Sequence, residues 1–284
     1  MQIKQALSLA AEKCQSSSTP NLDARIILCK ILSVSHEQLL IKYNYMLSEL
    51  ELKRFFSLIE RRVAMEPIAY IVGKQEFYGK DFVVNKSVLI PRPETELLVE
   101  SVIEDYNIRH SREDVKILEL GTGSGAISVS IANEILMADI LAVDISQEAL
   151  NVAKINAHNH HVSEQIKFIQ SDWFSNIVES RFHYVVSNPP YIAYHEQSDV
   201  AFEPELALYA DDAGFAAYKA IISSASAYLK DRGKLFFEIG YKQRDKVSEI
   251  LRHYGFTDII TKKDLAGHDR VIVASLLNVR RDVR

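Results

Sequence analysis

The spacing of apolar residues changes along the chain and divides it into regions of different predicted structure. Over residues 1–65 apolar positions recur every three or four residues, which is the spacing of one buried helix face. Between residues 67 and 91 the apolar period falls to two around Gly79, which is typical of a β-hairpin. The sequence therefore predicts a small helical bundle followed by a hairpin. The periodic segments of the bundle are 3–14, 22–32 and 47–64.

Strands and helices alternate from residue 93 onward, which predicts a parallel sheet with helices on both faces. The last two predicted strands follow each other without a helix, so we expect an antiparallel strand at one edge. The expected fold class is α/β, with a mostly parallel seven-stranded sheet whose last strand is antiparallel. The predicted strands are 116–120, 139–143, 166–170, 182–187, 233–239, 256–261 and 270–276, and helices are predicted near 93–106, 124–135, 146–159, 215–230 and 243–253.

The length of 284 residues suffices for about two domains at roughly 150 residues each. We expect a helical domain over 1–72, a hairpin linker over 73–92 and an α/β domain over 93–284. Residues 1–72 hold nine Lys and Arg against seven Asp and Glu, whereas the whole chain has a net charge of -5. An acidic balance argues against a protein whose main task is to grip a nucleic-acid backbone.

The cysteine content and the length of the apolar runs indicate the cellular compartment of the protein. Cys14 and Cys29 cannot build a disulfide framework, and their spacing matches no metal site. No run approaches the roughly 18 apolar residues of a membrane span, and the N-terminal pattern lacks the layout of a secretory signal. We therefore expect a cytoplasmic protein that does not bind membranes. We interpret the histidines at 158, 160 and 161 as solvated surface and expect no metal.

A glycine-rich loop follows the apolar strand that ends at Leu120 and precedes a predicted helix. Glycines let the backbone turn tightly and let a ligand approach the amides at a helix N-terminus. Asp144 ends the next strand, where a carboxylate can accept hydrogen bonds from a ribose diol. The pattern predicts a nucleoside site and leaves NAD open; without a ligand it would be a tight turn with Asp144 capping a helix. The loop consists of Gly121, Thr122, Gly123, Ser124 and Gly125.

Asp172 and Trp173 follow the third predicted strand of the sheet. Methyltransferases that use S-adenosylmethionine place an acidic residue at this point for the adenine amino group, and an aromatic or apolar wall for the adenine ring. The pair therefore favours S-adenosylmethionine over NAD as the cofactor. Trp173 is the single tryptophan of the chain, and a plain core residue is an equally good interpretation of it.

The motif Asn188-Pro189-Pro190-Tyr191 follows the fourth predicted strand. Two successive prolines stiffen the loop and give its carbonyl groups a preset direction. The side-chain carbonyl of Asn188 and the main-chain carbonyl of Pro189 can then accept hydrogen bonds from one planar NH2 group, while Tyr191 packs on its face. Such acceptors favour the positive charge that builds up on a nitrogen as it is methylated, so no base is required.

The Asn-Pro-Pro-Tyr motif therefore predicts methylation of an amide or arylamine nitrogen, with Asn188, Pro189 and Tyr191 as catalytic residues. Three alternatives remain open on the motifs alone. The loop could be a rigid surface turn, or the chain could be an adenine-N6 methyltransferase of DNA or RNA, which would use the same pocket. An NAD dehydrogenase is the third, although nothing in the sequence offers a proton-transferring pair beside a nicotinamide.

The sequence resembles the release factor glutamine methyltransferases over nearly its whole length. The Asn-Pro-Pro-Tyr motif is shared with adenine-N6 methyltransferases, whereas its combination with segments 90–96 and 203–208 is specific. The segment Tyr209–Gly214 is less glycine-rich than the Gly-Gly-x-Asp-Gly run of the family, so the resemblance does not predict its conformation. The segments that carry the resemblance are Phe77–Gly79, Leu89–Glu96, Gly121–Gly125, Ser171–Phe174, Ser187–Tyr191, Glu203–Leu208 and Asp264–Arg270.

The resemblance implies a Rossmann-like methyltransferase domain that uses S-adenosyl-L-methionine and releases S-adenosyl-L-homocysteine. The implied substrate is the glutamine side-chain nitrogen of the Gly-Gly-Gln motif in class I peptide chain release factors, and the helical domain is implied to help hold the release factor. We expect a monomer that makes no direct contact with nucleic acid.

The resemblance also assigns individual residues. Gly121–Gly125 is implied to hold the methionine part of the cofactor, Asp144 the ribose, and Asp172 and Trp173 the adenine. The substrate glutamine is assigned to Asn188, Pro189, Pro190 and Tyr191, with Asn188 also facing the cofactor. The segment Pro91–Thr95 has two interpretations: a helix start, or a segment whose Arg92 closes over the cofactor or the acceptor peptide.

Overall fold

The computed structural model describes residues 1–110, 113–178, 181–196 and 202–276. Residues 277–284, the end of the predicted α/β domain, lie outside the described part. The chain forms two compact units, Met1–Lys74 and Gln75–Arg284.

The first unit is helical, as its apolar spacing predicts. Phe55 and Ile59, one helical turn apart, are fully buried against Ile3 and Ile27. The third and fifth helices were not predicted, because six and five residues are too short to show a period. The helices are α1 (Ile3–Lys13), α2 (Pro20–Leu32), α3 (His36–Ile41), α4 (Glu49–Val63) and α5 (Ile68–Val72).

Two polar features hold this bundle together. Ser48 begins α4 with a reciprocal cap: its hydroxyl accepts from the backbone N–H of Glu51, and the Glu51 carboxylate accepts from the Ser48 N–H. Arg62 donates to Asp23 over 2.6 Å, and both side chains are largely buried. The cap fixes where α4 starts, and the ion pair ties α4 to α2.

The second unit contains the sheet and most of the remaining elements. The strands are β1 (Lys74–Phe77), β2 (Lys80–Val83), β3 (Val115–Leu120), β4 (Ala138–Asp144), β5 (Ile166–Gln170), β6 (Phe182–Ser187), β7 (Ile192–Ala193), β8 (Tyr209–Ala210), β9 (Leu229–Glu238), β10 (Phe256–Lys263) and β11 (Asp269–Leu276). A short 3-10 helix spans Pro93–Thr95, and the α-helices are α6 (Glu96–Arg109), α7 (Ala126–Glu134), α8 (Gln147–Asn159), α9 (Glu205–Leu208), α10 (Asp211–Gly214), α11 (Ala216–Tyr228) and α12 (Arg244–His253).

The seven-stranded sheet has the order β10-β11-β9-β6-β3-β4-β5. The last strand, β11, is antiparallel to both of its neighbours, as predicted. The expectation that this strand lies at an edge was wrong: β11 inserts between β9 and β10, and β10 takes the edge. Val102 of α6 and Val129 of α7 are buried on one face, and Ile222 of α11 and Leu251 of α12 on the other.

The predicted hairpin is formed by β1 and β2. Phe77 and Phe82 are buried in the core of the second unit with their ring centroids 5.9 Å apart. The hairpin is therefore built into the packing of that unit. Its role as a linker, and the division at residues 72 and 92, stay predictions. Within the described ranges, no helix combines the length and the apolar character needed to cross a membrane.

Candidate active site

The loops that carry the predicted motifs leave neighbouring parallel strands at the same edge of the sheet. Leu120, the last residue of β3, pairs in register with Ser187 at the end of β6 and with Val143 near the end of β4. Asp144 pairs with Gln170, the last residue of β5. Carboxyl ends of parallel strands are where open α/β sheets bind ligands. The structure thus brings the four predicted motifs to one edge.

The glycine loop makes its turn through left-handed backbone at three glycines. Gly121, Gly123 and Gly125 have φ values of 72°, 55° and 79°. A Cβ added at Gly123 would meet no described atom within 4 Å, whereas one at Gly125 would stand 3.0 Å from the Cβ of Ala153. Gly123 therefore leaves the loop surface open to a ligand, and Gly125 lets α8 pack closely against the loop.

Asp144 lies beside the glycine loop at the end of β4. Its Oδ2 accepts from the Gly123 N–H over 2.8 Å, and its Oδ1 accepts from the Ser146 N–H over 2.9 Å. Burial raises the pKa of Asp144, and these backbone hydrogen bonds oppose the rise. The carboxylate is fixed in orientation, and each oxygen keeps a lone pair for a further donor.

A buried carboxyl group, which sequence reasoning missed, lies beneath the loop. Glu119 is 1% exposed, and its Oε2 accepts from the hydroxyls of Thr122, over 2.7 Å, and Ser128. Among the described residues its Oε1 has no hydrogen-bond partner. Burial raises the pKa of Glu119 to about 7, against the effect of the two hydroxyls. A charge inside the apolar run Ile117–Leu120 was the available signal.

Stability should depend on pH through Glu119. Its folded-state pKa lies above the ordinary value, so the protonated form is favoured by folding and stability falls as pH rises through this range. In Glu119→Gln this contribution is absent. The difference in unfolding free energy, wild type minus variant, should therefore fall by an amount on the order of 3 kcal/mol from about pH 5 to about pH 8. Urea unfolding of both proteins across that range measures it, and a constant difference would contradict the assignment.

Asn156 connects the glycine loop to the hairpin. This fully buried side chain of α8 donates to the carbonyl oxygens of Ser124, over 2.8 Å, and Val83, over 3.0 Å, and accepts from the Val83 N–H. Ser124 and Thr122 are themselves 4% and 5% exposed, so the loop meets solvent mainly through its backbone. An isolated Asn within a helix pattern gave no sequence signal of this contact.

Asp172 and Trp173 lie where the chain leaves β5. Trp173 has a left-handed φ of 46°, and its Cζ3 is 3.8 Å from the position of a Cβ added at Gly121. The half-buried indole thus lies next to the glycine loop while it also packs against the core. Asp172 is exposed, and its carboxylate has no hydrogen bond within the part of the chain that the structure describes. Its side chain is accessible to a ligand.

The Asn188–Tyr191 motif forms a loop, called the acceptor loop below, that is anchored by groups outside the motif. Nδ2 of Asn188 donates to Oγ1 of Thr95 over 3.2 Å, and Thr95 donates to Oε2 of Glu238 over 2.6 Å. The hydroxyl of Tyr191 donates to Oε1 of the same carboxylate over 3.1 Å. Burial raises the pKa of Glu238, which is 1% exposed, and the hydrogen bond from Thr95 opposes the rise. Pro189 is buried.

Thr95 and Glu238 were missed as site residues. Glu238 ends an apolar strand, which was a weak signal, and Thr95 belongs to the segment Pro91–Thr95 whose interpretation was open. Arg92 of that segment pairs with the buried Glu203, whose other oxygen accepts from the Ile90 N–H over 3.0 Å. Segments 90–96 and 203–208, which carry the resemblance, therefore meet through an ion pair.

Comparison with known proteins decides the family. The chain matches the Methyltransferase small domain family over residues 93–264 and the PrmC N-terminal domain family over residues 5–73. A release factor glutamine methyltransferase from Burkholderia pseudomallei is 40% identical over 94% of this chain and 96% of its own length. The chain belongs to the release factor glutamine methyltransferase family. The family predicted from the sequence motifs is thus confirmed, and the adenine-N6 alternative is not favoured.

Other relatives show how far this family assignment extends. A bifunctional methyltransferase of Rickettsia prowazekii is 42% identical over 98% of this chain, which spans 58% of that relative's length. A methyltransferase structure from Pyrococcus furiosus aligns with a TM-score of 0.54 at 16% identity, over 78% of this chain and 98% of that one. The likeness shows the fold. It is the Rossmann-like methyltransferase fold.

Proposed function

We propose that this protein methylates the side-chain nitrogen of the glutamine in the Gly-Gly-Gln motif of class I peptide chain release factors. The observation that carries the proposal is the placement of Asn188. This residue follows β6 directly, beside the strand that leads into the glycine loop. Its NH2 group donates a hydrogen bond to Thr95, and its carbonyl oxygen takes no part in that bond. This oxygen can accept a hydrogen bond, which suits a methyl-accepting group that carries an NH2. The name of the Burkholderia relative supports a release factor as the substrate.

The residues at the sheet edge fit S-adenosylmethionine. We assign Gly121–Gly125, Thr122 and Ser124 included, to its methionine part, with the loop surface open at Gly123, and the fixed carboxylate of Asp144 to its ribose. Asp172 and Trp173 are assigned to its adenine, since one offers an exposed carboxylate and the other a ring beside Gly121. When bound, this cofactor supplies an electrophilic methyl group on sulfur.

The acceptor loop provides the hydrogen-bond acceptors for the substrate. Oδ1 of Asn188 and the carbonyl of Pro189 accept hydrogen bonds from the glutamine NH2, while Pro190 and Tyr191 confine its plane. These acceptors stabilise the positive charge that develops on the nitrogen, and Asn188 faces cofactor and substrate together. The proton becomes acidic after the transfer, so a buried base is not needed.

The proposed partner is a release factor, held in part by the helical domain of residues 1–72. Residues 5–73 match a family model of their own, which suits a separate role for this part of the chain. Exposed apolar side chains at the end of α3 and in the following turn suit a protein partner. They are Leu40, Ile41, Tyr45 and Met46. We further propose that the protein acts as a monomer in the cytoplasm, without direct contact to nucleic acid.

Mass spectrometry tests the function directly. The full chain is incubated with S-adenosylmethionine and a purified class I release factor, and we expect one added methyl group on the glutamine of the Gly-Gly-Gln peptide. A release factor with asparagine in place of that glutamine is the matched control and should stay unmodified. DNA and RNA are offered in parallel with tritiated cofactor. Label that enters only nucleic acid, or another position of the release factor, would contradict the proposal.

A further inference from the structure

A chain of hydrogen-bonded side chains runs from the acceptor loop into the core of the second unit. Asn188 donates to Thr95 over 3.2 Å, and Thr95 donates to Glu238 over 2.6 Å. Thr95 and Glu238 are 5% and 1% exposed, so bulk water does not compete for the link between them. Neither residue belongs to the Asn-Pro-Pro-Tyr motif.

The hydrogen bonds that link Asn188, Thr95 and Glu238 have a fixed direction. Both carboxylate oxygens of Glu238 accept hydrogen bonds, one from Thr95 and the other from Tyr191, so the single hydroxyl proton of Thr95 is donated to Glu238. The oxygen of Thr95 is then left as an acceptor, and it pairs with the NH2 end of Asn188. The two ends of an Asn amide have nearly the same shape, so packing alone distinguishes them poorly. The pairing with Thr95 therefore decides which end faces the acceptor pocket.

We propose that Thr95 and Glu238 are positioning residues for methyl transfer, which hold the Asn188 amide with Oδ1 toward the substrate NH2 group. The inference rests on the proposed function, because this orientation of the amide is needed only when the group to be methylated donates N–H hydrogen bonds. A reversed amide would place NH2 against NH2 and would lose the hydrogen bond that stabilises the reacting nitrogen.

The second oxygen of Glu238 extends this role to the other side of the loop. It accepts from the hydroxyl of Tyr191 over 3.1 Å, so one carboxylate holds both ends of the motif. Burial raises the pKa of Glu238, and Arg270 together with the hydroxyls of Thr95 and Tyr191 opposes that rise. Arg270 is itself held by Asp264, to which it donates over 3.1 and 3.2 Å. The segment Asp264–Arg270 thereby contributes to the same arrangement.

Three variants separate positioning from folding. Thr95→Val removes the hydroxyl at nearly constant shape, Thr95→Ser restores it, and Ser101→Ala removes a buried hydroxyl outside the network. For Thr95→Val we expect kcat to fall about 10- to 100-fold, with the KM for release factor and the Kd for S-adenosylhomocysteine within about twofold of wild type. Thr95→Ser and Ser101→Ala should keep kcat within about threefold of wild type. If the valine variant does not fold, Thr95→Ala replaces it.

A second readout does not depend on activity. In 15N-labelled protein the Asn188 side-chain NH2 signals are identified by their loss in Asn188→Ala, and their hydrogen exchange is measured. Exchange should be slow in wild type and Thr95→Ser, and at least about tenfold faster in Thr95→Val, because the hydrogen bond to Thr95 is lost. A wild-type kcat in Thr95→Val, or unchanged exchange, would overturn the inference. If the wild type methylates no glutamine, the proposed function fails, and the exchange data still decide whether Thr95 fixes the amide.

Discussion

Replacing Asn188 with alanine should lower kcat for methyl transfer by about 10²- to 10³-fold, with the Kd for S-adenosylhomocysteine within about threefold of wild type. The substitution removes an acceptor that acts mainly as positive charge builds up on the substrate nitrogen. It leaves the strand in place, because Ser187 still donates to the carbonyl of Leu120 over 2.7 Å. Single-turnover rates at saturating cofactor, together with calorimetric binding of S-adenosylhomocysteine, measure the two quantities separately.

The control for this substitution is Asn151→Ala, which removes the same side chain from an exposed position on α8. It should leave both kcat and Kd unchanged. The role given to Asn188 would be wrong if Asn188→Ala lost cofactor binding while the bound fraction still reacted at the wild-type rate. The residue would then belong to the cofactor site alone.

The motifs at the sheet edge could be predicted because each depends on local rules. Glycines at Gly121 and Gly123 predict a tight turn, and the adjacent prolines at 189 and 190 predict a stiff loop, wherever the rest of the chain lies. The alternation of strands and helices adds that parallel strands bring their carboxyl ends together. Local backbone chemistry and one topological rule were therefore enough to assemble the candidate site.

The groups that support these loops could not be predicted in the same way. Thr95 and Glu238 are 143 residues apart, and Asn156 and Val83 are 73 residues apart, so no spacing in the sequence reveals either contact. A buried carboxyl group such as Glu119 shows in the sequence as a charge in an apolar strand, without any sign of what it pairs with. Partners of this kind depend on tertiary packing.

The place of β11 shows a limit of a different kind. The absence of a helix between β10 and β11 predicts that they pair antiparallel, which is a statement about two neighbours. It does not say which of the two joins the rest of the sheet. Val271 and Val273 of β11 are buried against the parallel strands, whereas Ile260 of the edge strand β10 is 56% exposed. The inner place therefore goes to the more apolar strand.

Replacing Gly214 with alanine should lower the free energy of unfolding by about 2–5 kcal/mol and kcat by at least about tenfold. Gly214 has a φ of 87°, and a Cβ there would stand 2.3 Å from the carbonyl oxygen of Tyr191. That oxygen accepts from the side chain of Gln243 over 3.0 Å, so it has little freedom to move away. Any shift that relieves the clash must therefore move the acceptor loop.

Gly255→Ala is the matched control, since Gly255 has a φ of 83° and a Cβ there would meet no described atom within 4 Å. It carries the same backbone strain without the clash, so it should cost about 1–2 kcal/mol and leave kcat unchanged. Urea unfolding and steady-state kinetics on both variants separate strain from contact. Equal losses of stability in the two, with a wild-type kcat for Gly214→Ala, would show that this segment does not support Tyr191. The expected difference instead gives Gly214 a role that Gly255 lacks, because a side chain at Gly214 would meet the carbonyl oxygen of Tyr191.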